Sequence, residues 1–198
     1  VIDRMMASSL TSGSVSSLNY GHKFIDLALT IAATALGTAV LPYLSRMVAA
    51  GDRAGLRRTM GVYVRGILWI TVPASVVLFF SADTIVGLFY ERGTFTAEDT
   101  RVVADVLRWY SFQIPTYLLG IVVARFLSAV RRNQVLMIAA VLLLPANVAL
   151  NLVLMPSMGV AGIALSTSIV YVIAFLYSGG TTWRMLRSDS DEHWAAIR

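Results

Sequence analysis

Apolar residues dominate this chain in five long runs, separated by short polar stretches whose charge alternates. The runs are Leu27–Ser45, Gly66–Ala82, Trp109–Ala124, Val135–Met155 and Gly159–Ser178. A helix rises about 1.5 Å per residue, so roughly 20 mostly apolar residues cross the hydrocarbon core of a bilayer. The third run is the shortest, and its flanking Arg108 and Arg125 extend it by snorkelling. No charged side chain occurs between Asn133 and Trp183, which is too long for one crossing. Pro156-Ser157-Met158-Gly159 is the expected reversal. The pattern predicts an all-α polytopic transmembrane bundle with five full spans. Asp3-Arg4 and the short apolar stretch after it read as the end of a sixth helix, and the chain reads as a fragment of a longer protein. Residues 1–198 form a single transmembrane lobe in this reading, with a polar cytoplasmic tail over 188–198.

Loop charge orients the spans. Segment 46–58 carries Arg46, Arg53, Arg57 and Arg58 against Asp52, and segment 125–132 carries Arg125, Arg131 and Arg132. Arg184 and Arg187 follow the last run. Between them lie 81–101, with Asp83, Glu91, Glu98 and Asp99 against Arg92 and Arg101, and the uncharged turn at Pro156. Arginine-rich loops stay in the cytoplasm. Loops 46–58 and 125–132 and the tail are therefore expected there, with Thr11–Tyr20 on the outer side. Gly51-Asp52 reads as a turn. Ser81-Ala82-Asp83 reads as the cap of a short interfacial helix over Thr84–Glu91, and Thr96–Asp99 as the cap of a helix running from Ala97 to about Arg131 with a kink at Pro115.

Composition narrows the class. Hydrophobic residues make up 57% and charged ones 14%, against the ~25% charged of soluble domains. The net charge of +5 does not point to nucleic acid, because the basic residues sit at the ends of apolar runs instead of on one patch. The absence of cysteine excludes disulfides, thiolate metal sites and cysteine nucleophiles. No soluble domain, Gly-rich phosphate loop, metal-ligand cluster or Ser-His-Asp set is visible, so the chain reads as a transporter and not an enzyme.

Function then rests on the polar groups at membrane depth. Lys23 and Asp26 lie three residues apart on one helix face beside His22. Asn147 and Asn151 are spaced i, i+4, Asp3 stands in the incomplete first helix, and Thr167 lies in the small-residue stretch of the last run. Each has a plainer reading. Lys23 can snorkel and pair with Asp26, the asparagines can simply join helices, and Gly159–Ala164 can serve close packing.

Three ordered segments carry a resemblance. Thr11-Ser12-Gly13-Ser14-Val15-Ser16-Ser17-Leu18-Asn19-Tyr20, then Ala35-Leu36-Gly37-Thr38 running into Leu41-Pro42-Tyr43-Leu44-Ser45, then Leu88-Phe89-Tyr90-Glu91-Arg92-Gly93-Thr94-Phe95-Thr96 resemble successive signatures of the MviN/MurJ flippases of the multidrug/oligosaccharidyl-lipid/polysaccharide exporter superfamily. The segment from Asn151 to Thr167 is similar as well. The resemblance implies a fourteen-helix protein in two lobes that flips lipid II, a polyprenyl-pyrophosphate-linked glycan, across the bacterial cytoplasmic membrane by alternating access. This chain would be the second lobe, from late in helix seven to the end of helix twelve, and its partners would be that lipid, the bilayer and the first lobe.

The resemblance also implies sites. Where the family has Ala-Asp-Arg, with the arginine in the central cavity, this chain has Gly21-His22-Lys23. Lys23 keeps the charge without the bidentate fork. Ser16, His22, Lys23 and Asp26 are the substrate-binding candidates. Some relatives bind sodium at positions that correspond to Asp3, Asn147, Asn151, the Ile163 carbonyl and Thr167. Asn151 replaces an acid there, so a Na+ site would be weaker. Three alternatives stay open: a flippase for another undecaprenyl-linked polysaccharide, a membrane glycan polymerase or ligase using Glu91, Glu98 or Asp99, and a scaffold without transport.

Overall fold

The computed structural model describes residues 2–10, 13–91 and 95–187. The expected tail at 188–198 lies outside the described residues, as do Thr11, Ser12 and Arg92-Gly93-Thr94 of the signature segments. The elements are α1 (Ile2–Ala7), α2 (Ser14–Ala50), α3 (Arg53–Tyr90), α4 (Ala97–Tyr110), α5 (Gln113–Ala129), α6 (Asn133–Met158) and α7 (Val160–Arg187). With α4 and α5 taken together, five helical segments are long and apolar enough to cross a membrane.

Local chemistry sets the boundaries. Gly51 ends α2 in the left-handed region at φ 68°, and Asp52 caps α3 by accepting from the Gly55 N–H at 2.8 Å. Thr96 and Asp99 close a reciprocal capping box on α4. Pro42 and Pro73 lie inside α2 and α3, and both helices continue through them, which bundle interiors in membranes tolerate.

Two expectations need correction. No separate helix starts at Ser81-Ala82-Asp83, because α3 runs unbroken to Tyr90. Nothing in that stretch breaks a helix, and Ala82 and Val86 are fully buried in the core cluster. The third span does run from Ala97 to Ala129 with the expected kink: Ser111 and Phe112, between α4 and α5, keep helical dihedrals. Pro115 accounts for the interruption, since it cannot donate to the Ser111 carbonyl four residues back and its ring crowds it. The reversal before α7 is narrower than Pro156–Gly159, because α6 carries Pro156 through to Met158 and turns on Gly159 alone, at φ 57° and ψ −132°.

The α4–α5 rod forms the centre of the bundle, in contact with α2, α3 and α7. Val103, Ala104, Val106, Leu107, Phe126 and Leu127 are all fully buried in it. Elsewhere the exterior is apolar: Trp69 and Phe80 of α3 and Val153 of α6 stand more than two-thirds exposed, as lipid-facing side chains must. α6 leans mainly on α7. Their crossing is close because a side chain at Gly162 would stand 2.6 Å from the Leu154 carbonyl oxygen.

Gly162→Ala should therefore force the α6–α7 hairpin open, at a cost of about 1–3 kcal/mol. Gly66→Ala, with nothing within 4 Å of the new methyl, should not destabilise. Thermal melts of the detergent-solubilised full-length variants check this, and equal melting temperatures would refute the tight crossing.

Candidate functional site

The N-terminal half of α2 presents charge where the rest of the spans present hydrocarbon. His22 Nδ1 lies 2.7 Å from Asp26 Oδ2, and the His22 ring meets Tyr110 edge-on at 4.8 Å. Asp26 is thereby held by His22, one helical turn back, and not by Lys23 as the snorkelling reading had it. Lys23 is exposed, with its ammonium 5.5 Å from the Tyr20 ring centroid. Ser16 is exposed two turns before it. Tyr20, Phe24, Phe89, Tyr90 and Phe95 pack ring to ring behind this face and fix α2 against the end of α3.

Below Lys23 the same helix carries a polar track. Thr30, Thr34 and Thr38 recur every four residues and all are exposed. Thr34 Oγ1 donates to the Thr30 carbonyl at 2.7 Å and Thr38 Oγ1 to that of Thr34 at 2.9 Å. The Thr34 and Thr38 hydroxyls satisfy their protons on their own helix and keep their lone pairs outward. Where the track ends, the half-buried Arg125 of α5 reaches across to Gly37, its terminal nitrogen 2.7 Å from the point a Cβ would occupy. Sequence reading left these threonines and the reach of Arg125 out of the site. The i, i+4 threonine spacing was the available signal; the approach to Gly37 had none.

A second polar cluster joins α1, α6 and α7. Asn151 is fully buried, and its amide nitrogen donates to Asp3 Oδ1 at 2.9 Å and to Asn147 Oδ1 at 3.3 Å. Thr167 Oγ1 lies 3.0 Å from Asp3 Oδ2 and 3.0 Å from the Ile163 carbonyl oxygen, within donating reach of either. Ser166, absent from the sequence-derived set, bonds the Asn151 side-chain oxygen from behind. The five positions named from sequence thus converge, and Asp3, Asn147 and Thr167 line an open pocket of about 410 Å³. The oxygens suit a hard cation. In this arrangement the Asn151 NH2 lies between Asp3 and Asn147 and bonds both. A single carboxylate is satisfied by neutral donors.

Of the three acids that an enzyme would need, two are engaged. Asp99 is tied into the α4 cap, and Glu91 accepts from Thr100 at 3.2 Å. Glu98 is exposed on an open cleft beside Asp99 and Asp105. Among the described residues no group of three or more His, Cys, Asp or Glu could hold a metal ion.

Long apolar helices around a central rod, one of them carrying a charged face, define a lobe of a multi-pass membrane protein. A family profile described as "Lipid II flippase MurJ" matches residues 1–197, and the chain belongs to that family. A protein of Rhizobium meliloti (strain 1021) called "Probable lipid II flippase MurJ" is 32% identical over 177 residues, covering 89% of this chain and 33% of that protein. "Lipid II flippase MurJ" of Thermosipho africanus (strain TCF52B) is 30% identical over 160 residues, covering 81% and 33%. The solved structure "Lipid II flippase MurJ, inward closed conformation" superposes with a TM-score of 0.81 at 27% identity, over 100% of this chain and 41% of that one. The chain spans about a third of the length of these curated relatives.

Proposed function

We propose that the protein to which this chain belongs moves a polyprenyl-pyrophosphate-linked glycan, with lipid II as first choice, across the cytoplasmic membrane by alternating access. One observation carries this reading: α2 exposes Lys23 and a threonine track along a helix that otherwise has the composition of a span. A charged group at membrane depth faces a bundle interior or a wet cavity. A pyrophosphate head cannot cross hydrocarbon unaided, whereas its polyprenyl tail can stay in lipid. Lys23 supplies positive charge to the head, the threonine oxygens accept from glycan hydroxyls, and Arg125 offers a second cation at the other end of the track. A first lobe, upstream in the same polypeptide, would close the cavity opposite α2. Glycans other than that of lipid II remain the second reading, favoured by the lysine in place of a forked guanidinium.

In the same proposal loops 46–58 and 125–132 face the cytoplasm. Single cysteines at Asp52 and Arg131 should be labelled only from the inside and ones at Glu98 and Ser157 only from the outside; external labelling at Asp52 would overturn the orientation.

Lys23→Ala in the full-length protein should abolish flipping without lowering membrane abundance, and Lys23→Arg should keep it. Full activity of the alanine variant, measured as transport of the labelled lipid-linked glycan, would return Lys23 to an anchoring role.

For the buried cluster we propose at most weak sodium coupling, because the Asn151 amide already holds Asp3. Asn151→Asp removes that NH2 and adds a charge, so it should create sodium-dependent stabilisation, read as a melting temperature rising with NaCl but not with KCl. Strong sodium stabilisation of the unaltered protein would contradict this.

A further inference from the structure

The groove between the arginine-rich end of α3 and the end of α7 serves no part of the track or of the buried cluster. It encloses about 600 Å³ and is walled by Met60, Val64, Phe175 and Leu176 over the bare backbone of Gly179 and Gly180. Arg57 and Arg65 stand on its α3 rim, eight residues or about 12 Å apart along the helix. Arg57 is fixed in place, its Nε donating to the Leu186 carbonyl at 3.1 Å. The Arg65 Nε bonds the Gly61 carbonyl at 3.2 Å, which holds its guanidinium over the bare Gly61 backbone on the groove rim. On the opposite rim stands Trp183, 59% exposed, with the Arg187 guanidinium 5.9 Å from its ring centroid.

One buried polar group on this groove is unsatisfied. Ser178 and Thr181 return their hydroxyl protons to α7 carbonyls at 2.7 and 2.9 Å. Thr182, only 3% exposed and lining the groove, has no partner for its hydroxyl. A buried hydroxyl without a partner is costly, so the groove asks for a ligand that carries an acceptor as well as hydrocarbon.

We propose that the groove is a binding site for an anionic glycerophospholipid. Its phosphate lies against Arg65, an ester oxygen accepts from Thr182, and an acyl chain fills the apolar trough over Gly179 and Gly180. Charge complementarity selects the ligand. Guanidinium groups fit phosphate oxygens in pairs, Trp183 sits as interfacial tryptophans do, and the wall is otherwise apolar. The leaflet, the cytoplasmic one, rests on the orientation proposed above; the site itself does not.

The experiment uses purified full-length protein in detergent, titrated with phosphatidylglycerol or phosphatidylcholine and followed by native mass spectrometry. The unaltered protein should bind the anionic lipid at least about tenfold more tightly than the zwitterionic one. Arg65→Gln should remove that preference. Gly180→Leu, whose Cβ meets nothing within 4 Å and whose longer side chain enters the trough, should weaken both lipids, with a cooperative lipid-free melt as the control for folding. Equal binding of the two lipids, or binding indifferent to both variants, would overturn the proposal. So would a quantitative cross-link from Trp183→Cys to polypeptide beyond Arg187, since protein would then occupy the groove. None of these readouts depends on flipping or on sidedness, so the site and the transport reading fail separately.

Discussion

Hydrocarbon supplies no hydrogen-bond partners, and every feature of this lobe answers to that constraint. The backbone is helical almost wherever it is described, and helices pass through Pro42, Pro73, Pro145 and Pro156 without ending. Where a helix is interrupted, at Ser111-Phe112, the interruption lies inside the bundle with Ser111 and Gln113 both about 1% exposed. The same constraint shapes the cluster around Asp3. A carboxylate in a span must be neutralised, hydrated or bonded, and here two neutral side chains from two other helices bond it. That arrangement ties three helices together through one residue.

The spans and their turns were legible because hydropathy reports them directly. Gly51-Asp52 and the Thr96 cap read correctly for the same reason, since each depends only on its neighbours in sequence. The errors fell where long-range packing decides. Ser81-Ala82-Asp83 has the residue types of a cap, but Asp83 instead pairs with Arg108 of α4, so the helix continues. The kink before Pro115, by contrast, follows from a clash that sequence alone places within a residue or two.

The candidate sites split along the same line. The resemblance named Asp3, Asn147, Asn151, Ile163 and Thr167, and the fold brings them together. Residue type alone left the asparagines as helix glue, and their hydrogen bonds satisfy that reading too. What no sequence argument reached is Ser166, whose hydroxyl meets the Asn151 side chain from behind. At α2, His22 pairs with Asp26 and packs on Tyr110, while Lys23 stays exposed beside Tyr20.

The Arg108 cluster has a consequence for biosynthesis. Arg108 bonds Asp83 of α3 and Asp105 of its own helix, and its Nε donates to the Phe79 carbonyl at 3.3 Å. The α4–α5 segment has the lowest mean hydropathy of the five spans, 1.4, and is the most enclosed by its neighbours. Synthesis delivers α3 first, so a partner for Arg108 already exists when Arg108 emerges, and the order of the helices along the chain suits the pairing that joins α3 to the rod.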